Sequence, residues 1–199
     1  MRVLSVENKQ ELDVLKTVSK PVVVVDDTTK GIAKNLVRVA ASGKTVGLSA
    51  IQLGYPIRVF VINMFSGLFD ADKDLKTISG SDHIDGRSLV CINPEIISFS
   101  GETVTLFEGC LSAETYGMIG ISRPGHVDLK YTNLAGGECV VRTYGWLARC
   151  VQHEMDHLNG VLLANVVDNI KNHLEHSVSE EDYSSVHILL LDNKRMDSN

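Results

Sequence analysis

Val151-Gln152-His153-Glu154-Met155-Asp156-His157-Leu158-Asn159-Gly160 is the stretch on which the reading of this 199-residue chain turns. The hydrophobic spacing upstream of it predicts one helix over residues 144–159, stopped by Gly160. At ~100° per residue, Leu147, Cys150, Val151 and Leu158 fall on one apolar stripe, and Glu154 falls in its middle. Burying an unpaired carboxylate costs several kcal/mol, so Glu154 must face a cation, a hydrogen-bond partner or a water-filled cleft. His153 and His157 stand one helical turn apart, the spacing that lets two imidazoles share an ion. The bland alternative is two half-exposed histidines beside a salt-bridged glutamate. A shuffled chain of this composition would contain His-Glu-x-x-His only about one time in a hundred, which favours the ion.

Two ligands do not make a stable site, because catalytic zinc-type centres take three from the protein and leave a place for water. Cys150 is on the same helix but ~10.5 Å of rise from His157, beyond the roughly 9 Å that a cysteine and a histidine span through one ion. The third ligand therefore comes from elsewhere. Spacing alone leaves Cys91, Cys110, Cys139 and the carboxylates open, and Cys110 stands out because Gly109 beside it permits close backbone approach.

Working outward, residues 126–133 alternate cleanly, with Val127, Leu129 and Tyr131 on one face and Asp128, Lys130 and Thr132 on the other. Leu134-Ala135-Gly136-Gly137 then reads as the turn of an antiparallel hairpin to a strand at 138–143. Further strands are expected at 22–25, 57–62, 88–93, 95–100 and 103–107, and a helix at 31–41 with Ile32, Leu36, Val37 and Ala40 on one stripe. Residues 66–87 show no period and carry Gly67, Gly80 and Gly86, so they read as a mobile surface insertion. The expected fold class is α+β, antiparallel strands packed around a central metal-binding helix. A single catalytic domain is expected over 1–165, followed by a polar C-terminal extension over 166–199.

Composition sets outer limits: 44% hydrophobic and 22% charged residues suit one globular domain. A net charge of -6 offers no footprint for a phosphate backbone, so direct nucleic-acid specificity is not expected. Met1-Arg2-Val3-Leu4-Ser5-Val6-Glu7 meets charge before a signal-peptide core can form, and no run approaches the ~20 residues of a membrane span. A cytoplasmic protein with no membrane partner is expected. Four cysteines without regular spacing do not form a secreted disulfide scaffold.

The stretch around His153 and a second one, Glu108-Gly109-Cys110-Leu111-Ser112, resemble two of the three signature motifs of the peptide deformylase family. Val46-Gly47-Leu48-Ser49-Ala50-Ile51-Gln52 resembles the third, and all three occur in the family's order over roughly residues 21–163. The resemblance implies that Cys110, His153 and His157 bind one divalent transition metal, Fe(II) in the cell, with Zn, Ni or Co possible after purification. It implies that Glu154 is the catalytic acid/base and that Gln52 and the Leu111 N–H hold the formyl oxygen. Gly47, Glu108 and Gly109 are expected at the substrate, with Arg123 paired to Glu108. The implied reaction is hydrolysis of the N-formyl group from the N-terminal methionine of nascent polypeptides in the bacterial cytoplasm, with transient ribosome contact. The chemistry suits those residues, since a thiolate ligand favours such ions over magnesium or calcium and a bound ion lowers the pKa of water.

Departures accompany the match. Thr45 stands at the family's first glycine and Ser49 at its first alanine. Ala113, Glu114 and Thr115 follow the central motif where the family often has an aliphatic residue and proline, and Trp146 and Arg149 are unusual on the metal helix. A metallopeptidase also uses His-Glu-x-x-His, but Val161-Leu162-Leu163-Ala164 supplies no downstream ligand. A purely structural metal module leaves Glu154 unexplained. His173 and His176 read as a solvated helix face. No basic docking helix is visible among Asp168, Glu175, Glu180, Glu181 and Asp182.

Overall fold

The computed structural model describes residues 2–163 except 69, 82, 83 and 86. The expected extension at 166–199, with His173 and His176, lies outside the described residues. In chain order the elements are α1 (Lys9–Leu15), α2 (Asp27–Val39), β1 (Gly47–Ser49), β2 (Val59–Asn63), α3 (Ala71–Asp74), β3 (Leu75–Ser79), β4 (Ile84–Asp85) and β5 (Ser88–Phe99). There follow β6 (Thr103–Glu108), β7 (Ile119–Pro124), β8 (His126–Thr132), β9 (Glu138–Tyr144) and α4 (Gly145–Leu158). The main sheet runs β1-β2-β5-β8-β9-β3 with β4 beside β5, and β6 and β7 form a separate hairpin. Every strand pairing is antiparallel, so the α+β expectation holds.

The burial pattern explains why the strands differ in sequence. In β2, Phe60 and Ile62 point to the α4 side while Val59 and Val61 point to the α2 side; in β5, Leu89 and Cys91 face α4 while Val90 and Ile92 face α2. Covered on both faces, these strands read as continuous apolar runs. In β8 only Val127, Leu129 and Tyr131 pack under α4, which is the alternation legible in the sequence. Leu147, Val151 and Leu158 of α4 are fully buried against that layer, each side chain contributing roughly 1.5–3 kcal/mol.

Four expectations are corrected. Residues 22–25 form no strand, and Val23 is 95% exposed; the Val22 N–H and carbonyl are both taken by the Asn93 side chain, at 2.7 Å each. The helix expected at 31–41 begins at Asp27 because the Asp26 carboxylate accepts the Thr29 N–H at 2.8 Å. The strands expected at 88–93 and 95–100 are one, β5, whose register shifts between Ile92 and Glu95. A bulge there accommodates Pro94, which has no N–H for the ladder, and Asn93, with φ of 49°. The segment 66–87, expected to be aperiodic, carries α3 and two strands, with Leu75 of β3 opposite Thr143 of β9. The hairpin strand β7 was not expected at all. No helix among the described residues is long and apolar enough to cross a membrane.

Candidate active site

Helix α4 carries the centre of the site. It starts after Tyr144 and ends at Asn159, and Gly160 follows with φ of +72°, a left-handed stop that glycine adopts without penalty. The His153 and His157 rings meet edge to face with centroids 5.0 Å apart. Strand β6 ends at Glu108, and the chain continues extended through Gly109 to Cys110 before turning into a 3-10 helix at Leu111–Tyr116. That path brings the Cys110 Sγ to 3.3 Å from His157 Nε2. Single donor atoms of Cys110, His153 and His157 all lie within 4.8 Å of one another. Two ligands at 2.3 and 2.0 Å from one tetrahedral ion stand ~3.5 Å apart, so this group is of a size to hold a metal ion.

The second layer fixes the orientation of His153. Its Nδ1 is 3.0 Å from Glu108 Oε2, which leaves Nε2 for the cluster. Arg123 donates to Glu108 from Nε at 2.6 Å and Nη2 at 3.0 Å, and its Nη1 pairs with Asp156 Oδ2 at 2.7 Å. Arg149 Nη1 donates to Glu108 Oε1 at 2.8 Å. Burial alone would push the Glu108 carboxyl up, but the bonds from His153 and Arg123 outweigh it and hold it down at about 2. For His153, burial acts to lower the imidazole, yet Cys110 and Glu108 hold it well above its ordinary range. Burial and the neighbouring His153 keep His157 well below that range, hence neutral and able to ligate. The cluster therefore stabilises positive charge between a sulfur and a carboxylate. Burial, with Glu154 nearby, keeps the Cys150 thiol protonated, and Cys150 stays outside the ligand group.

Glu154 is 3% exposed, and its carboxylate finds the hydrogen-bond partner that the helical stripe demanded. Ser49 Oγ donates to Glu154 Oε2 at 2.5 Å. Burial pushes the Glu154 carboxyl up to about 7, against the lowering influence of His153 and Ser49. Gln52, in a 3-10 helix over Ala50–Leu53, accepts the Ser49 N–H on Oε1 at 2.9 Å. That bond turns the amide nitrogen toward Ser112 Oγ at 3.1 Å and Cys110 Sγ at 3.9 Å.

A cavity of about 560 Å³ opens onto this array, and every residue assigned to the site from the sequence borders it except His157, which is buried beneath at 1% exposure. Two assignments acquire different physical reasons. Gly47 was expected to admit a substrate backbone, but a Cβ there would overlap the Glu154 carboxylate, so its bareness serves Glu154 first. Glu108 borders the cavity, yet its carboxylate is committed to Arg123, Arg149 and His153. A Cβ on Gly109 would crowd the movable Met118 sulfur, at 2.8 Å, and make ordinary contact with the Gly117 carbonyl, at 3.8 Å.

The family model for polypeptide deformylase matches residues 2–173. The chain belongs to the peptide deformylase family. The peptide deformylase of Bartonella tribocorum is 35% identical over 158 residues, 79% of this chain and 81% of that one. The peptide deformylase structure from Ehrlichia chaffeensis superposes with a TM-score of 0.71 at 33% identity, covering 87% of this chain and 91% of that one. The Met-Ala-Ser-bound class I type b peptide deformylase of Acinetobacter baumannii matches with a TM-score of 0.66 at 27% identity, over 83% of this chain and 96% of that one. Against that background, two of this deformylase's departures gain contacts: Ser49 meets Glu154, and Arg149 meets Glu108. Sequence reasoning assigned neither a role. The signal for Arg149 was its place one turn before His153 in the row 149, 153, 157.

Proposed function

We propose that this deformylase hydrolyses the formyl group from N-formyl-methionyl peptides, with one divalent transition metal held by Cys110, His153 and His157. The observation that carries the reading is the meeting of Cys110 with the two imidazoles beside a cavity that also presents Glu154 and Gln52. A bound ion supplies an acidified water and polarises the formyl carbonyl. Glu154, held near 7 and facing the cavity, accepts the water proton and returns it to the leaving amine. Gln52 has its Oε1 occupied by Ser49, so its N–H₂, of which one hydrogen goes to Ser112 Oγ, is the end that donates to the formyl oxygen with the other. The Leu111 N–H, first in its 3-10 helix, has no acceptor within that helix and is the second donor.

The Phe107, Met118 and Trp146 side of the cavity suits a methionine side chain, as does the Met-Ala-Ser bound to the Acinetobacter relative. The thiolate in the ligand set favours Fe(II) in the cell and accepts Zn, Ni or Co. We read one catalytic domain over residues 1–165, with the 66–87 segment as its surface edge and 166–199 as an extension. A cytoplasmic enzyme meeting nascent chains, with transient ribosome contact, accords with this chemistry.

Formate release from formyl-Met-Ala-Ser by anaerobically handled protein tests the activity, with acetyl-Met-Ala-Ser as the comparison. We expect rapid turnover of the first and almost none of the second. Equal cleavage of internal peptide bonds would assign a peptidase instead.

A further inference from the structure

Arg149 is 3% exposed, on the turn of α4 that precedes His153. A buried guanidinium needs acceptors for its fork of donors, and three groups on the β6–β7 hairpin supply them. Nη1 donates to Glu108 Oε1 at 2.8 Å and to the Ile121 carbonyl at 2.7 Å, while Nη2 donates to the Val104 carbonyl. One side chain thus ties α4 to both strands of the small hairpin. The carboxylate it grips is the one that orients His153, and two residues further along the same chain is Cys110.

Arg123 does not make Arg149 redundant. Arg123 is divided between Glu108 and Asp156, and Asp156 is on α4 beyond His153. Without Arg149, Glu108 Oε1 would keep a single donor, and nothing else described joins the Val104 and Ile121 carbonyls to the helix.

We propose that Arg149 is a positioning residue for the metal site: through Glu108 it fixes the His153 imidazole, and through the hairpin carbonyls it sets the distance at which Cys110 meets His153 and His157. This rests on the metal reading above.

The test is cobalt binding by chelator competition, with the visible spectrum of the cobalt protein, for wild type, Arg149→Met and Arg142→Met. Arg142, on β9, makes a two-bond pair with Asp128 of β8, at 2.6 and 2.8 Å, touches none of the proposed ligands, and controls for the loss of an arginine–carboxylate pair as such; thermal midpoints of both variants are read alongside. We expect Arg149→Met to bind cobalt about ten- to a hundredfold more weakly, with shifted absorption bands, and Arg142→Met to match wild type in both. Should Arg149→Met not fold, Arg149→Lys is read instead; it keeps the charge but cannot serve all three acceptors, and a severalfold loss is expected. A folded Arg149 variant with wild-type affinity and spectrum overturns the proposal. If wild type itself shows no thiolate-ligated cobalt, the ligand reading fails, and that outcome is distinct.

Discussion

Ser49 Oγ donates to Glu154 Oε2 across 105 residues of sequence, at 2.5 Å in a fully buried setting. A hydrogen bond to the charged form of a carboxyl favours ionisation, so Ser49 opposes the burial that raises Glu154. Ser49→Ala should therefore move the acidic limb of the pH profile of kcat/KM upward, by about one unit. The ionised Glu154 is the form that accepts a proton, so the variant should lose most activity below neutrality and recover it at alkaline pH. A uniform loss at all pH values would assign Ser49 to packing alone.

Gly47 offers a sharper steric test. The Cβ of Gly47→Ala would overlap the Glu154 carboxylate and touch its Cγ at 3.1 Å. Displacing that carboxylate should lower kcat on the order of a hundredfold, while overpacking costs the fold only ~1–3 kcal/mol. Turnover and thermal midpoint measured on one preparation separate the two effects; near-normal kcat would show that the carboxylate tolerates displacement.

Glu154→Ala and Cys110→Ala should part company. The first removes the proton carrier and is expected to keep its metal while losing roughly 10²- to 10⁴-fold in rate. The second removes the thiolate and should lose tight metal binding. Elemental analysis decides it, and full occupancy in Cys110→Ala would reject Cys110 as a ligand.

Glu108 links the site to acid stability. Its folded pKa, about 2, lies below its ordinary 4.5, so its contribution is present in full above ~4.5 and is lost as pH falls toward 2. A shift of that size corresponds to roughly 3 kcal/mol as an upper scale. Urea unfolding of metal-free protein from pH 6 to 3 should show stability falling with pH, and Glu108→Gln should give a flatter curve from a lower starting value. Parallel curves would place the acid sensitivity elsewhere.

What was legible in the sequence followed from periodicity. The β8–β9 hairpin declared itself because one face is buried and the other is not, whereas helix α4, buried or half-buried all round from Leu147 to Leu158, declared itself by its apolar stripe and the residue types set into it. Strand β3 did not: it pairs at an edge with both faces largely exposed, so residues 75–79 carry no alternation, and its partner β9 is more than 60 residues away. Val22 to Val25 misled because β-branched composition says nothing about the partner, which is the side chain of Asn93. At the site, the residue types on the metal helix pointed to an ion, but the choice of Cys110 came from family resemblance. The reason for Gly47 depends on Glu154, 107 positions later, a relation no local pattern contains.

The extended path from Glu108 to Cys110 has a consequence for errors in folding. Along an extended chain alternate side chains point the same way, so the carboxylate that aims His153 and the sulfur that joins it are dealt out together. If β6 mispaired with β7 by a single step, both would swing to the opposite side at once. The small hairpin thus presents the Glu108 carboxylate and the Cys110 sulfur to the helix together or presents neither.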